Sequence, residues 1–286
     1  MTRWIVLAPV WAWLLIFIAA PTAIVFALSF SQAAVSVPPF DPLITWERNG
    51  PAFHLMFDNY SNIVTDSYYF DAAAQSLVVA SVSSILCLSF GYPMALAIAR
   101  APTRWRSGLL LLVMLPFWTG FLLRIVAWIG LLADEGWINW LLLGAGLIRE
   151  PLHILYTRFA MYIGIVYCYL PFMVLPVYAR LSNLDPALEE AAADLGAAPL
   201  KVFLTVTLPL SIPGIVAGLA LVFMPAVGEY VIPELLGGPS AQTIGRALWN
   251  EFFANHDWPM AAALANVLLI SLLLPLAWAR AGQRRL

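Results

Sequence analysis

Two ionisable side chains interrupt long apolar stretches of this sequence, Arg124 in the stretch 107–132 and Glu229 in the stretch 212–233. A charge near the centre of a membrane-spanning helix costs on the order of 2–3 kcal/mol or more, so such a residue is by default a candidate for a transport path. A carboxylate can bind an ammonium group, and a guanidinium can hold a carboxylate. We therefore interpret Glu229 as a contact for the cargo or its gate, and Arg124 as the residue that positions a carboxylate.

The sequence around Glu229 favours an irregular backbone. Pro225 removes a donor, Gly228 weakens the helix and Pro233 is expected to end it. Such backbone at membrane depth is tolerated only where it is buried in protein or lines a watery cavity. Trp118, Trp128 and Tyr230 carry aromatic faces that could bind a positively charged group by cation–π contact. The alternative is a structural role, in which Arg124 and Glu229 pair with each other or extend to the outer interface.

The usual residue patterns of enzymes and metal sites are missing from the sequence. His54, His153 and His256 lie in separate polar segments and form no HExxH pair. The single lysine, Lys201, follows Leu200, which excludes the Gly-Lys-Ser/Thr of an ATP-binding P-loop. We therefore expect neither an enzyme nor a cofactor or metal site in this chain.

The composition indicates a membrane protein. Hydrophobic residues make up 62% of the 286 and charged residues only 10%, with a mean hydropathy of +0.86. A soluble domain carries about 25% charged residues. A helix needs roughly 20 apolar residues to cross a bilayer, and six stretches meet this length, at 4–30, 72–99, 107–132, 155–179, 212–233 and 259–279. We predict an all-α membrane protein, a single domain over 1–286 with six transmembrane helices.

The basic residues predict the orientation of these helices. Most of them fall on one side of the six-helix arrangement: Arg3, Arg100, Arg104, Arg106, Arg180, Lys201, Arg280, Arg284 and Arg285. The other side carries Arg48, Arg149, Arg158 and Arg246. The positive-inside rule therefore places both termini in the cytoplasm, together with the loop 180–210.

That loop carries the most informative local pattern. Asp185 is a good N-cap and Pro186 suits the first helical position, while Gly196 suits the left-handed position after a helix. These features predict a short surface helix, a glycine turn and a second helix from Pro199 to Pro209. A simple helical hairpin that links two spans fits the same features.

The loop also has a fixed spacing of Glu, Ala, Gly and Pro. It contains Glu190-Ala191-Ala192, three further residues, Gly196, nine further residues and then Val206-Thr207-Leu208-Pro209. This spacing resembles the EAA motif of ABC importer permeases, E-A-A-x3-G-x9-I-x-L-P, with Val in place of Ile at 206. The resemblance implies a type I ABC importer permease fold in which 186–195 is the coupling helix, seated in a groove of an ATPase subunit. The expected docking residues are Leu188, Glu189, Glu190, Ala191, Ala192, Leu195 and Gly196.

Further stretches resemble the putrescine and spermidine branch of these permeases. They are PFWTGFLLR at 116–124, PAVGEYVIPELLGGP at 225–239, IGRALW at 244–249 and DWP at 257–259. The resemblance implies a multi-pass protein of the bacterial inner membrane that works with a dimer of ATP-binding subunits, a second and different permease subunit and a periplasmic substrate-binding protein. ATP and Mg²⁺ would be bound by the ATPase, and no nucleic acid is an expected partner.

The resemblance implies import of a polyamine by alternating access. The alternative is a secondary carrier for a small organic cation that needs no ATPase. Such a carrier usually shows inverted repeats or paired broken helices, and the sequence shows neither. An intramembrane enzyme is a second alternative, but Glu229 has no partner acid nearby in sequence.

Overall fold

Helices make up most of the chain in the computed structural model, which describes residues 2–47 and 50–283. In that part of the chain the α-helices are α1 (Thr2–Leu14), α2 (Ala20–Leu28), α3 (Asp58–Thr65), α4 (Ser67–Arg100), α5 (Thr103–Met114), α6 (Phe121–Leu132), α7 (Trp137–Gly144), α8 (Arg158–Leu181), α9 (Pro186–Asp194), α10 (Pro199–Val202), α11 (Leu208–Val227), α12 (Val231–Leu236), α13 (Ile244–Trp249) and α14 (Trp258–Gln283). The π-helical segments are Leu15–Ala19, Phe203–Thr207 and Asn250–Ala254, and a 3-10 turn covers Leu115–Trp118. The strands are β1 (Ile44–Glu47) and β2 (Gly50–Phe53).

Four helical runs in the described residues are long and apolar enough to cross a bilayer: Leu7–Leu28, Ser67–Arg100, Arg158–Leu181 and Pro199–Val227. A fifth candidate is a pair, Thr103–Trp118 with Phe121–Gly144, which bends by 89° at its break. The run Trp258–Leu273 in α14 is apolar but shorter. The count of six spans and the cytoplasmic termini therefore stay predictions, and Arg48, Arg284 and Arg285, which entered the orientation argument, lie outside the described residues.

Two of the expected spans are not continuous helices. The stretch 107–132 is interrupted because Pro116 has no N–H to donate within a helix, and the chain passes through the 3-10 turn to extended backbone at Thr119, with a ψ of 145°. The stretch 212–233 breaks after Val227. The expectation that Pro233 ends the helix is wrong, because Pro233 lies in the first turn of α12, where an N–H would have no intrahelical partner.

The described residues form two compact units. One comprises the residues up to Ala73 together with those from Ile244 onward, and in it α14 packs against α2 and α3 while β1 and β2 pair antiparallel, with Ile44 opposite Phe53. The other is Ala74–Thr243, in which α11 packs against α8, and α12 packs against α8 and α6. The single domain over 1–286 stays a prediction.

Glycines bring α8 and α11 close together. A Cβ on Gly214 would lie 2.8 Å from the carbonyl oxygen of Pro176, and a Cβ on Gly218 would lie 2.6 Å from the Sδ of Met173. Gly214 and Gly218 form a small-xxx-small pattern, which lets membrane helices approach through their backbones. The same pattern is visible in the sequence as two glycines four residues apart.

Candidate functional site

The surface helix α9 begins at the residue that the sequence predicts. The Asp185 carboxylate accepts a hydrogen bond from the Ala187 N–H at 3.0 Å, which caps the helix before Pro186. At the other end Gly196 has a φ of 83°, its N–H donates to the Ala193 carbonyl, and the Ala197 N–H donates to the Ala192 carbonyl. These two bonds form a Schellman motif, which needs a left-handed residue at Gly196. Local chemistry therefore fixes both ends of α9.

The residues expected to dock the ATPase do not all face outward. None of the residues of α9 is buried, and Leu188, Glu190 and Ala191 are exposed. Leu195, just beyond the helix, has 90% of its surface exposed. Glu189 is different, because its carboxylate accepts hydrogen bonds from Arg100 and Thr207 of the same chain. The exposed part of this predicted docking set therefore includes the apolar Leu188 and Leu195 together with the acid Glu190.

Glu229 is buried and its carboxylate has three donors. The hydroxyl of Tyr169 in α8 donates to Oε2, and the N–H groups of Val231 and Ile232 lie 3.0 and 3.3 Å from Oε1. The two N–H groups belong to the first turn of α12, whose N–H groups have no intrahelical acceptors. The carboxylate thus caps α12 and holds it to α8.

Arg124 lies in the first turn of α6 with 8% of its surface exposed. Its guanidinium carbon is 5.0 Å from the ring centre of Phe117 and 5.6 Å from that of Phe121. Among the described residues no carboxylate lies within ion-pair distance of it, and its Nε and Nη1 have no acceptor. A buried guanidinium is costly without a counter-charge. The two membrane charges therefore do not form an ion pair in this structure.

Aromatic rings connect the surroundings of the two charges. The ring centres of Phe117 and Phe172 are 5.1 Å apart, and those of Phe172 and Tyr169 are 6.0 Å apart. The rings thus form a series from Arg124 to the hydroxyl that donates to Glu229. Sequence analysis missed Phe117, Phe172 and Tyr169, because aromatic residues in apolar helices carry no distinguishing signal.

The three aromatic residues proposed for cation binding lie in different surroundings. Trp118 ends the 3-10 turn and is mostly exposed. Trp128 packs edge-to-face on Tyr167, with 5.4 Å between ring centres. Tyr230 directly follows Glu229 and is half-buried. The structure leaves their role in cation binding a prediction.

The Asp-Trp-Pro stretch at 257–259 also has a local structural role. The Asp257 carboxylate accepts a hydrogen bond from the Met260 N–H at 2.9 Å at the start of α14. Burial raises the pKa of this carboxyl, the Glu251 carboxylate adds to the rise, and the Met260 bond opposes it. Asp257 therefore caps α14 from a partly buried position.

Residues 88–285 match the family described as binding-protein-dependent transport system inner membrane component. The chain belongs to this family. It is therefore a transport subunit and not an enzyme, and its several apolar helices agree with a multi-pass protein of the inner membrane. This outcome confirms the class of protein that the EAA motif indicates.

Relatives and solved structures agree with this membership. The chain is 37% identical to the spermidine/putrescine transport system permease protein PotB of Haemophilus influenzae over 261 residues, which cover 91% of this chain and 87% of that protein. It is 37% identical to PotB of Escherichia coli, with 90% and 89% covered. A bacterial alginate ABC transporter, solved with an alginate pentasaccharide-bound periplasmic protein, superposes with a TM-score of 0.72 at 19% identity, covering 99% of this chain and 94% of that chain. The fold is the type I ABC permease fold.

Proposed function

We propose that this permease forms part of the path through which an ATP-driven importer carries a polyamine, putrescine or spermidine, into the cell. The observation that carries the proposal is the identity of 37% with two proteins named as spermidine/putrescine permeases, over 90–91% of this chain. The similarity extends through both the docking loop and the stretch around Glu229, so it covers both parts of the molecule that transport would use.

The proposed assembly contains two ATP-binding subunits, which hold ATP and Mg²⁺, a second permease subunit of different sequence and a periplasmic substrate-binding protein. The kind of assembly is supported by the alginate transporter, which was solved together with its periplasmic protein. The difference in sequence between the two permease subunits is our inference from the polyamine branch.

The docking surface lies on α9 and the turn after it. Its apolar side chains, Leu188 and Leu195, would enter the ATPase groove, and the small residues Ala191 and Ala192 would let the groove approach closely. Glu190 is an exposed acid at this surface and Gly196 keeps the turn tight. Movement of the ATPase groove would then move α9 and, through it, the spans.

The proposed substrate path runs along Glu229 with Trp118, Trp128 and Tyr230. The Glu229 carboxylate and the aromatic faces would both attract an ammonium group that passes along this path. Arg124 opposes a polyamine unless a carboxylate neutralises it. Because the described residues place no carboxylate next to Arg124, we assign that carboxylate to a partner subunit or to another state of the transport cycle.

The first test is gentle purification of the tagged permease from native membranes, with mass spectrometry of the proteins that accompany it. We expect an ATPase and a second permease. Gly196→Arg should lose the ATPase, because a long cation replaces the left-handed glycine on the docking surface. Gly196→Asn is the matched control, since asparagine tolerates this conformation, and it should retain the ATPase.

Uptake of labelled putrescine and spermidine in cells without other polyamine importers tests the cargo. We expect uptake that stops when the catalytic lysine of the partner ATPase is replaced. Uptake that survives this replacement would indicate a secondary carrier. Co-purification of the ATPase without polyamine uptake would contradict the cargo assignment while the permease assignment stands.

A further inference from the structure

Glu189 occupies a different position from the other two acids of α9, Glu190 and Asp194, which are both exposed. Both Glu189 and Glu190 were expected on the docking surface, yet only Glu190 is exposed. The Glu189 side chain has 33% of its surface exposed and contacts Arg100 and Thr207. Its contacts therefore lie within this chain.

One contact of Glu189 is charged and the other is buried. The Arg100 Nη2 lies 3.2 Å from Oε1, and Arg100 is the last residue of α4. The Thr207 hydroxyl donates to the same oxygen at 2.5 Å, and Thr207 ends the π-helical segment just before α11, with 1% of its surface exposed. The exposed ion pair alone is weak, because solvent screens it. The Thr207 bond is shielded, and a buried hydroxyl that loses its acceptor is penalised.

We propose that Glu189 is a positioning residue that fastens the coupling helix to α4 and α11, so that movement of α9 reaches both helices at once. The inference rests on the docking role proposed for α9. Movement of α9 can reach the longer helices only through the chain segments and side-chain contacts that join α9 to them. A link from α9 to two long apolar helices passes that movement on to the part of the chain that crosses the membrane.

A second contact nearby fits the same arrangement. The Arg180 Nε donates to the Leu210 carbonyl at 2.9 Å, which joins the end of α8 to the start of α11. The start of α11 is thus tied on one side to α8 and, through Thr207 and Glu189, to α9. Of these two contacts, the one made by Glu189 includes the docking helix. Without it, ATP hydrolysis should continue while less cargo is imported for each ATP.

The test uses the complete importer, reconstituted in liposomes with its ATPase, second permease and binding protein. Glu189→Ala should leave ATPase association and ATP hydrolysis within about twofold of wild type while the cargo imported per ATP falls about fivefold or more, the low end of typical coupling between sites. Thr207→Val, which keeps the shape and removes the hydroxyl, should show the same kind of defect. Glu190→Ala is the matched control, and it should weaken ATPase association instead.

Exchanging the charges of Arg100 and Glu189 distinguishes a positioning role of Glu189 from a general effect on folding. Arg100→Glu should reduce the cargo imported per ATP, and the double variant Arg100→Glu with Glu189→Arg should recover part of it. Equal loss of hydrolysis and import in Glu189→Ala, together with loss of the ATPase, would overturn the proposal and make Glu189 a docking residue. An unchanged import per ATP in Glu189→Ala would overturn it as well. If both docking variants, Gly196→Arg and Glu190→Ala, retain the ATPase, the proposed function is contradicted instead.

Discussion

At the scale of single residues, the sequence located the two membrane charges but not their contacts. Arg124 and Glu229 are recognisable because a charge in an apolar stretch is costly and therefore rare. Their partners come from other helices: Tyr169 of α8 donates to Glu229, and Phe117 lies beside Arg124. Which helices meet is decided by tertiary packing, so the absence of a direct Arg124–Glu229 pair could not be predicted from spacing along the chain.

Glu229→Gln tests whether the charge acts on cargo or only caps α12. The amide keeps the shape of the carboxylate, and its oxygen can still accept from Val231 and Ile232, so the fold should survive. We expect polyamine uptake to fall about tenfold or more, which corresponds to about 1.4 kcal/mol of lost attraction for an ammonium group. The measurement is initial uptake rate at equal amounts of inserted protein.

Tyr169→Phe is the control for the structural role. It removes one donor to Glu229 but leaves the charge, and a hydrogen bond to a charged group contributes about 1.5–3 kcal/mol to stability. We expect a lower unfolding temperature in detergent with uptake largely retained. If the Glu229→Gln protein is present in the wild-type amount and its uptake is normal, Glu229 acts only as a structural cap of α12.

At the scale of helices, the sequence predicted the ends of α9 correctly, but it predicted the breaks within the apolar stretches only in part. The ends of α9 follow from Asp185, Pro186 and Gly196, because caps and left-handed turns need particular residue types. The third stretch was expected to be one helix, although Pro116 lies within it. A proline only makes a break more favourable, and surrounding packing decides whether the helix kinks or turns. The start of α12 is capped locally by Glu229, whereas the bond from Tyr169 of α8 to Glu229 is a tertiary feature.

Gly214→Val tests the seam between α8 and α11. The added Cβ would meet the rigid carbonyl oxygen of Pro176 at 2.8 Å, so the two helices must separate. We expect loss of about 1–3 kcal/mol of stability, as for overpacked cores, and a correspondingly lower unfolding temperature of the purified subunit. Gly130→Val is the control, since a Cβ on Gly130 in α6 meets nothing within 4 Å. Equal unfolding temperatures for the two variants would contradict close packing at Gly214.

At the scale of the whole molecule, composition predicted a helical membrane protein, because 10% charged residues are too few to cover a surface that faces water. The number of spans depends on the bent pair Thr103–Trp118 with Phe121–Gly144. An arm of 16 residues is only about 24 Å long, short of a hydrocarbon core of about 30 Å. Neither the length nor the 89° bend decides whether the pair crosses or returns. The basic residues favour crossing, because Arg100, Arg104 and Arg106 cluster at the start of the pair, while Arg149 is the single arginine or lysine in the segment 145–157 that follows it.

Cysteine labelling on both sides of the bent pair tests this crossing. In a protein whose two cysteines, Cys87 and Cys168, are replaced by alanine, Arg104→Cys and Leu147→Cys place single thiols at exposed positions before and after the bend. If the pair crosses, a membrane-impermeant maleimide should label Leu147→Cys in intact cells and Arg104→Cys only after the cells are opened. Labelling of both from the same side would make the pair a re-entrant loop, because both ends would then lie in one compartment. Every later span would reverse, the loop 180–210 would face away from the ATPase, and the docking surface on α9 could not serve as proposed.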